Sequence, residues 1–165
     1  MIDYAAKLSL ACPVTATQTG HDLCSVLNTA VTRAEELLGR DLIQDCVDPE
    51  TGEIIPIFVV TDNGPAMKSL PVARWFADRS HFVHVRTRVK SPHTNGVIER
   101  WFQTLKYGTG PGPLYRHEIG TVLDLADHVE SFVDEYNQTR PHETIGWDRP
   151  LYRYLQTPNT KTPEI

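Results

Sequence analysis

The run Ile54-Ile55-Pro56-Ile57-Phe58-Val59-Val60-Thr61 ends abruptly in Asp62 and the turn Asn63-Gly64-Pro65, and it limits the possible folds more than any other segment. Its length and β-branched content predict a strand buried on both faces, which requires helices above and below a sheet. The neighbouring segments supply them. Residues 20–38 place Leu23, Leu27, Ala30, Val31, Ala34, Leu37 and Leu38 at helical spacing, with Thr19 and Asp22 as a capping pair and Gly39 as the stop. After the turn, Pro65 suits the first turn of a helix reaching about Asp78.

Other segments fit the same layered plan. Residues 7–17 are rich in Val, Thr and Leu and read as a strand. Residues 81–90 alternate, with Val83, Val85, Thr87 and Val89 on one face and His84, Arg86, Arg88 and Lys90 on the other, which predicts a half-buried strand with a cationic face. A helix over about 95–107 follows the Ser91-Pro92 break, and residues 108–113 form a Gly- and Pro-rich turn. Ile119, Val122, Ala126, Val129, Phe132, Val133 and Tyr136 mark a last amphipathic helix. Strands alternating with helices predict an α/β architecture with parallel pairing.

With 165 residues, 40% hydrophobic and 22% charged, the chain suits one domain. No secretory pattern opens it, and no apolar run approaches the roughly 18 residues of a membrane helix, so the expected location is cytoplasmic, with no membrane partner. Cys12, Cys24 and Cys46 show no C-x-x-C spacing and read as buried thiols. His81 and His84 fall on opposite faces of a strand, which argues against a zinc pair.

The net charge of -5 conceals an asymmetry. Between Arg79 and Lys106 six cations face one anion, Glu99, whereas six acids and no Lys or Arg lie between Glu118 and Glu135. On the predicted 95–107 helix, Val97, Ile98, Trp101 and Leu105 form an apolar stripe and Glu99, Gln103 and Lys106 a polar one. Asp62 ends a strand, where open α/β sheets place their ligands. Two such carboxylates suit Mg²⁺ or Mn²⁺, which prefer oxygen and complete their shells with water and substrate phosphate. Spacing alone leaves plainer roles open. Asp62 would also serve as a turn residue, Glu99 as a helix-dipole partner, and Arg86, Arg88 and Lys90 as charges guarding a strand edge.

Thr61-Asp62-Asn63-Gly64-Pro65, the stretch S-P-H-T-N-G-V-I-E-R-W-F at 91–102, and Y-N-Q-T-R-P-H at 136–142 followed by Gly146 and Pro150-Leu151 resemble the catalytic core of retroviral-type integrases and insertion-sequence transposases. These are D-D-E enzymes on a ribonuclease-H-like three-layer fold, and the resemblance covers nearly the whole chain. Thirty-six residues separate Asp62 from Glu99, within one of the spacing in that family. The resemblance implies that Asp62 and Glu99 are catalytic and hold the metal, with two Mg²⁺ or Mn²⁺ ions in the intact enzyme. It also implies that Asn95 and Gly96 lie in a loop before Glu99 and that Lys106 is on the DNA-facing side of its helix; with Lys106 and Asn95, the cations Arg86, Arg88 and Lys90 are the candidate DNA contacts. Residues 1–155 become the core and 156–165 a tail.

At the front, residues 2–8 resemble the turn after the second strand in that family. The expectation is that the first, central strand and its aspartate are missing, with Asp3 a turn residue. The strand at 54–61 then lacks a neighbour. The implied activity of the intact enzyme is DNA transposition or integration: metal-dependent cleavage of DNA ends and strand transfer, by a homo-oligomer. This polypeptide is expected to be inactive alone. The alternative is a non-catalytic remnant that binds DNA or pairs with a full-length transposase.

Overall fold

The computed structural model describes residues 1–87, 96–108, 114 and 119–156. Helix α1 (Gly20–Leu38) starts at a complete capping box, in which the Thr19 hydroxyl accepts from the Asp22 amide and the Asp22 carboxylate accepts from the Thr19 amide. It stops at Gly39, whose φ of 68° is the left-handed conformation that glycine adopts without a Cβ penalty. A short helix α2 (Leu42–Asp45) follows, and a turn ordered by the Asp48 carboxylate, which accepts from the Glu50 and Thr51 amides, brings Val47 back beside Ile54.

Strands β1 (Ile57–Thr61) and β2 (Phe82–Arg86) pair in parallel with Val59 opposite His84 and Thr61 opposite Arg86. Among the described residues they form the whole sheet. The Ile57 amide donates to the His81 carbonyl and the Thr87 amide to the Thr61 carbonyl, so alternation directs the polar groups of Phe58 and Val60 to the other edge. One face of the sheet is the core side: Val59 and Phe82 are buried with Leu27, Ala34, Leu42 and Trp75, and Ile57 packs against them. The other face is open in part, with Val60 46% exposed. The strand is therefore covered on one face, where its apolar run predicts two. Likewise Phe82 and His84 face the helices, so the cationic face of β2 is only its distal half, at the exposed Arg86. Residues 88–90 of the predicted strand lie outside the described residues, as do residues 91–95, all but Gly108 of the turn expected at 108–113 and all but Gln156 of the tail expected at 156–165.

The helix after Asp62 starts later than Pro65 suggests. A single 3-10 turn (Ala66–Lys68) ends at Ser69 with extended backbone, and α3 (Leu70–Ala77) begins there. Pro71 is the reason. In a helix running on from Pro65 it would lack an N–H for the fourth carbonyl back, whereas in the first turn of α3 that N–H is not needed. The break lets α1 approach closely: a Cβ on Gly20 would lie 1.9 Å from Ser69 Oγ. Trp75 then joins α3 to α1 by donating its indole N–H to Asn28 Oδ1 at 2.7 Å.

A second core lies between α4 (Gly96–Tyr107) and α5 (Val122–Gln138), built from Trp101, Leu105, Val129, Phe132 and Tyr136. The Trp101 ring meets Phe132 edge-on at 5.5 Å and Tyr136 at 6.0 Å. A capping box of Thr121 and Asp124 starts α5. Helix α6 (Pro150–Gln156) crosses back, with Tyr154 packed on the first core.

The N-terminal segment lies between the two cores. Met1 and Leu10 pack on the first, and Ile2, Cys12 and Val14 on the second. Residues 7–17 are not a strand; only an isolated antiparallel bridge joins Ile2 to Ser9. Its backbone groups find other partners. Leu10 and Ala11 amides donate to the Met1 carbonyl, and Ser9 is bound on both sides by the Asn137 side chain, with Oδ1 accepting from the Ser9 amide and Nδ2 donating to the Ser9 carbonyl, both at 2.9 Å. Asp3 closes the turn by accepting from the Ala6 amide, and burial raises its pKa.

Replacing Asn137 by Leu leaves a buried N–H and C=O without partners. The expected cost is about 1–3 kcal/mol for each, measured by denaturant unfolding, and Asn137→Asp should not restore it because a carboxylate cannot donate to Ser9. Burial, then the charges of Arg140 and Lys7, lower the pKa of His142, whose ring lies 4.8 Å from Tyr136. The unfolded state then binds the proton more readily, so this stabilising contribution is complete above the ordinary value of 6.5 and is lost as pH falls through the lower folded value. Melting temperature should fall on acidification below about pH 6.5, and His142→Gln should flatten that dependence.

Candidate functional site

Asp62 follows the last residue of β1 and is exposed. Its Oδ1 accepts from the Gly64 amide at 2.8 Å, a local turn that points the carboxylate back along the loop. Glycine suits position 64 because a Cβ there would stand 3.0 Å from that oxygen.

The turn is tied to β2 on both sides of Asp62. Before it, the Thr61 carbonyl accepts from the Thr87 amide at 2.9 Å, and the Thr61 hydroxyl lies 2.8 Å from His84 Nε2 and 3.0 Å from the Asp62 carbonyl. After it, the Asn63 side-chain amide donates to the Thr87 carbonyl. His84 is itself held by Phe76 of α3, the rings stacked at 4.5 Å and nearly parallel at 7°. Burial, then the charge of Arg86, lower the pKa of His84, which keeps the imidazole neutral at pH 7.

Glu99 lies in the first turn of α4 and is exposed, as are Gln103 and Lys106 on the same stripe, while Trp101 and Leu105 are buried on the opposite one. The division follows from helical spacing alone. Arg86 is exposed beside Thr61 in the strand register. Arg88, Lys90 and Asn95 lie outside the described residues.

The structure fixes the setting of each carboxylate separately, since residues 88–95 between β2 and α4 are not described. Among the described residues no three His, Cys, Asp or Glu side chains gather around a common metal-sized site. Asp62 and Glu99 remain two exposed, hard oxygen donors. That donor set fits Mg²⁺, which commonly takes one or two carboxylates and keeps water or substrate phosphate for the rest of its shell.

Residues 81–150 match the family model described as integrase core domain. This segment is similar to an integrase core. The matched integrase core holds β2, α4 with Glu99, and α5 with the Tyr136-to-His142 motif, and Asp62 lies upstream of it. No curated protein matches the chain. The match supports a DNA integration and transposition family, and an integrase core domain implies a ribonuclease-H-like fold, with which the mixed helices and parallel strand pair described above are consistent. Integrase-type domains generally use divalent metals and act on DNA. No helix among the described residues is long and apolar enough to cross a membrane.

Thr61, Asn63, His84, Phe76 and Thr87 are absent from the site residues inferred from sequence. His84 was detectable in principle, because pairing Val59 with His84 puts the imidazole on the same face as Thr61; that register exists only in the folded sheet. Asn63→Ala removes the donor to the Thr87 carbonyl and should lower stability by about 1 kcal/mol, read as a shift in the denaturant midpoint at constant slope.

Proposed function

We propose that the chain serves DNA transposition or integration as a divalent-metal-dependent polynucleotidyl-transfer core, with Asp62 and Glu99 as the carboxylates that hold Mg²⁺ or Mn²⁺. The observation that carries this reading is Glu99 itself, exposed on the first turn of α4 inside the integrase core segment and flanked along its stripe by Gln103 and Lys106. A cation placed there would neutralise charge on a phosphodiester and lower the pKa of an attacking water. The protein side chains do the rest. Asp62 presents an exposed carboxylate from a fixed turn, and Arg86, Arg88, Lys90, Asn95 and Lys106 contact the DNA backbone, which gives salt-dependent and largely sequence-independent binding. Acting as a homo-oligomer, these groups would cut DNA ends and join the freed 3′-hydroxyl to a target. This reading places the protein in the cytoplasm.

Two carboxylates make a weak cation site by themselves, so DNA phosphate should complete it and metal and DNA should bind cooperatively. The test is DNA affinity with and without Mn²⁺. Mn²⁺ is expected to tighten binding by wild type and to have little effect on Asp62→Asn or Glu99→Gln. Lys106→Ala should weaken binding to all sequences and reduce the log affinity against log salt slope by about 1. Identical affinities with and without Mn²⁺ in all three proteins would favour a non-catalytic DNA-binding module. Because no third ligand joins the pair among the described residues, plasmid nicking by this polypeptide alone should be slight; vigorous Glu99-dependent nicking would show that the pair suffices.

A further inference from the structure

Asp62 does not stand on a rigid element. It is the first residue of a loop anchored at two ends, the end of β1 behind it and α3 ahead of it, with Asn63 adding a tie to the Thr87 carbonyl. A carboxylate in that position keeps its direction only if those two points are held relative to one another, and one side chain touches both. The His84 imidazole lies flat on Phe76 of α3 and meets the Thr61 hydroxyl at the end of β1. The hydroxyl in turn donates to the Asp62 carbonyl, so its oxygen is left to accept and His84 Nε2 must carry the hydrogen.

We propose that His84 is a positioning residue for Asp62: wedged between Phe76 and Thr61, it holds the strand-to-helix turn and so directs the carboxylate. The Nε2–H to Oγ1 bond orients the hydroxyl, the hydroxyl fixes the Asp62 carbonyl, and the peptide plane thus set aims the side chain at the Gly64 amide. His84 reaches no substrate in this role and acts through Thr61. The same register brings exposed Arg86 to the site mouth, so β2 both frames Asp62 and presents a cation beside it. Its consequence for metal rests on the reading of Asp62 as a metal-bearing carboxylate, whereas the geometric claim stands without it.

The test compares two replacements. His84→Phe keeps a flat ring against Phe76 but has no donor, and His84→Gln keeps a donor near the Nε2 position but has no ring. The first readout is the Gly64 amide proton resonance, which reports the bond to Asp62 Oδ1 without any metal. It is expected to move toward its non-bonded position in His84→Phe and to stay near wild type in His84→Gln. The second readout is Mn²⁺ affinity, expected to fall about 10-fold in His84→Phe, as for other groups that orient a ligand through a hydrogen bond, and to be largely kept in His84→Gln. Thr61→Val removes the same bond from its other end and serves if His84→Phe does not fold. It should reproduce the shift at Gly64, and the two changes combined should add little to either alone. An unchanged Gly64 resonance in both His84→Phe and Thr61→Val, or additive effects in the double variant, overturns the proposal. Unchanged Mn²⁺ affinity in Asp62→Asn would instead remove the metal reading, leaving the Gly64 resonance to decide the positioning claim.

Discussion

The parallel pairing of β1 with β2 is the constraint on which the candidate site depends. Parallel strands need a crossover between them, and here the crossover is the turn at Asp62, the 3-10 turn and α3. The ladder does not end where β1 ends: the Thr87 amide and carbonyl reach past it to Thr61 and Asn63, so β2 grips the chain on either side of the carboxylate. An aspartate in a free loop would sample many directions, and fixing them on metal binding would cost conformational entropy of about 1–2 kcal/mol per residue ordered. Here the sheet has already ordered them.

The two cores explain how so small a sheet is supported. Strands β1 and β2 bury one face against α1 and α3, while α4 and α5 build a separate cluster around Trp101. The N-terminal segment is the mortar, with Met1 and Leu10 on one side and Ile2, Cys12 and Val14 on the other. Asn137 keeps it in place by satisfying both backbone groups of Ser9 from a position 128 residues away. The Tyr-Asn pair of the 136–142 motif thus has a physical role in the fold: Tyr136 fills the α4–α5 core and Asn137 gives Ser9 hydrogen bonds of the kind a strand partner supplies. Glu99 profits indirectly, since the helix that carries it is held by Trp101 and Leu105 in the same core.

Local signals were readable in the sequence. The Thr19–Asp22 box, the Gly39 stop, the two stripes of α4 and the existence of β1 and β2 each depend on residues within one or two turns, and each appears where the pattern puts it. Most of the failures involve distant partners. Residues 7–17 have strand composition, but Met1 and Asn137 take the hydrogen bonds a strand would use. The apolar run at 54–61 suggested cover on two faces, and exposed Val60 shows that composition cannot count layers. Pro71, a local signal, moves to Leu70 the helix start predicted at Pro65. At the candidate site, the exposed positions of Asp62 after a strand and of Glu99 on the polar stripe of α4 followed from local spacing, whereas the frame of Thr61, Asn63, His84 and Thr87 did not, because it arises from strand register.

The central claim is that Asp62 and Glu99 face one divalent cation. Crystals of the protein with a short DNA duplex, grown in Mn²⁺ and measured at the manganese edge, test it most directly. The account predicts an anomalous peak within coordination distance of both carboxylates and of a DNA phosphate oxygen. A peak bound to only one of the two, or carboxylates directed to opposite sides of the sheet, would contradict it.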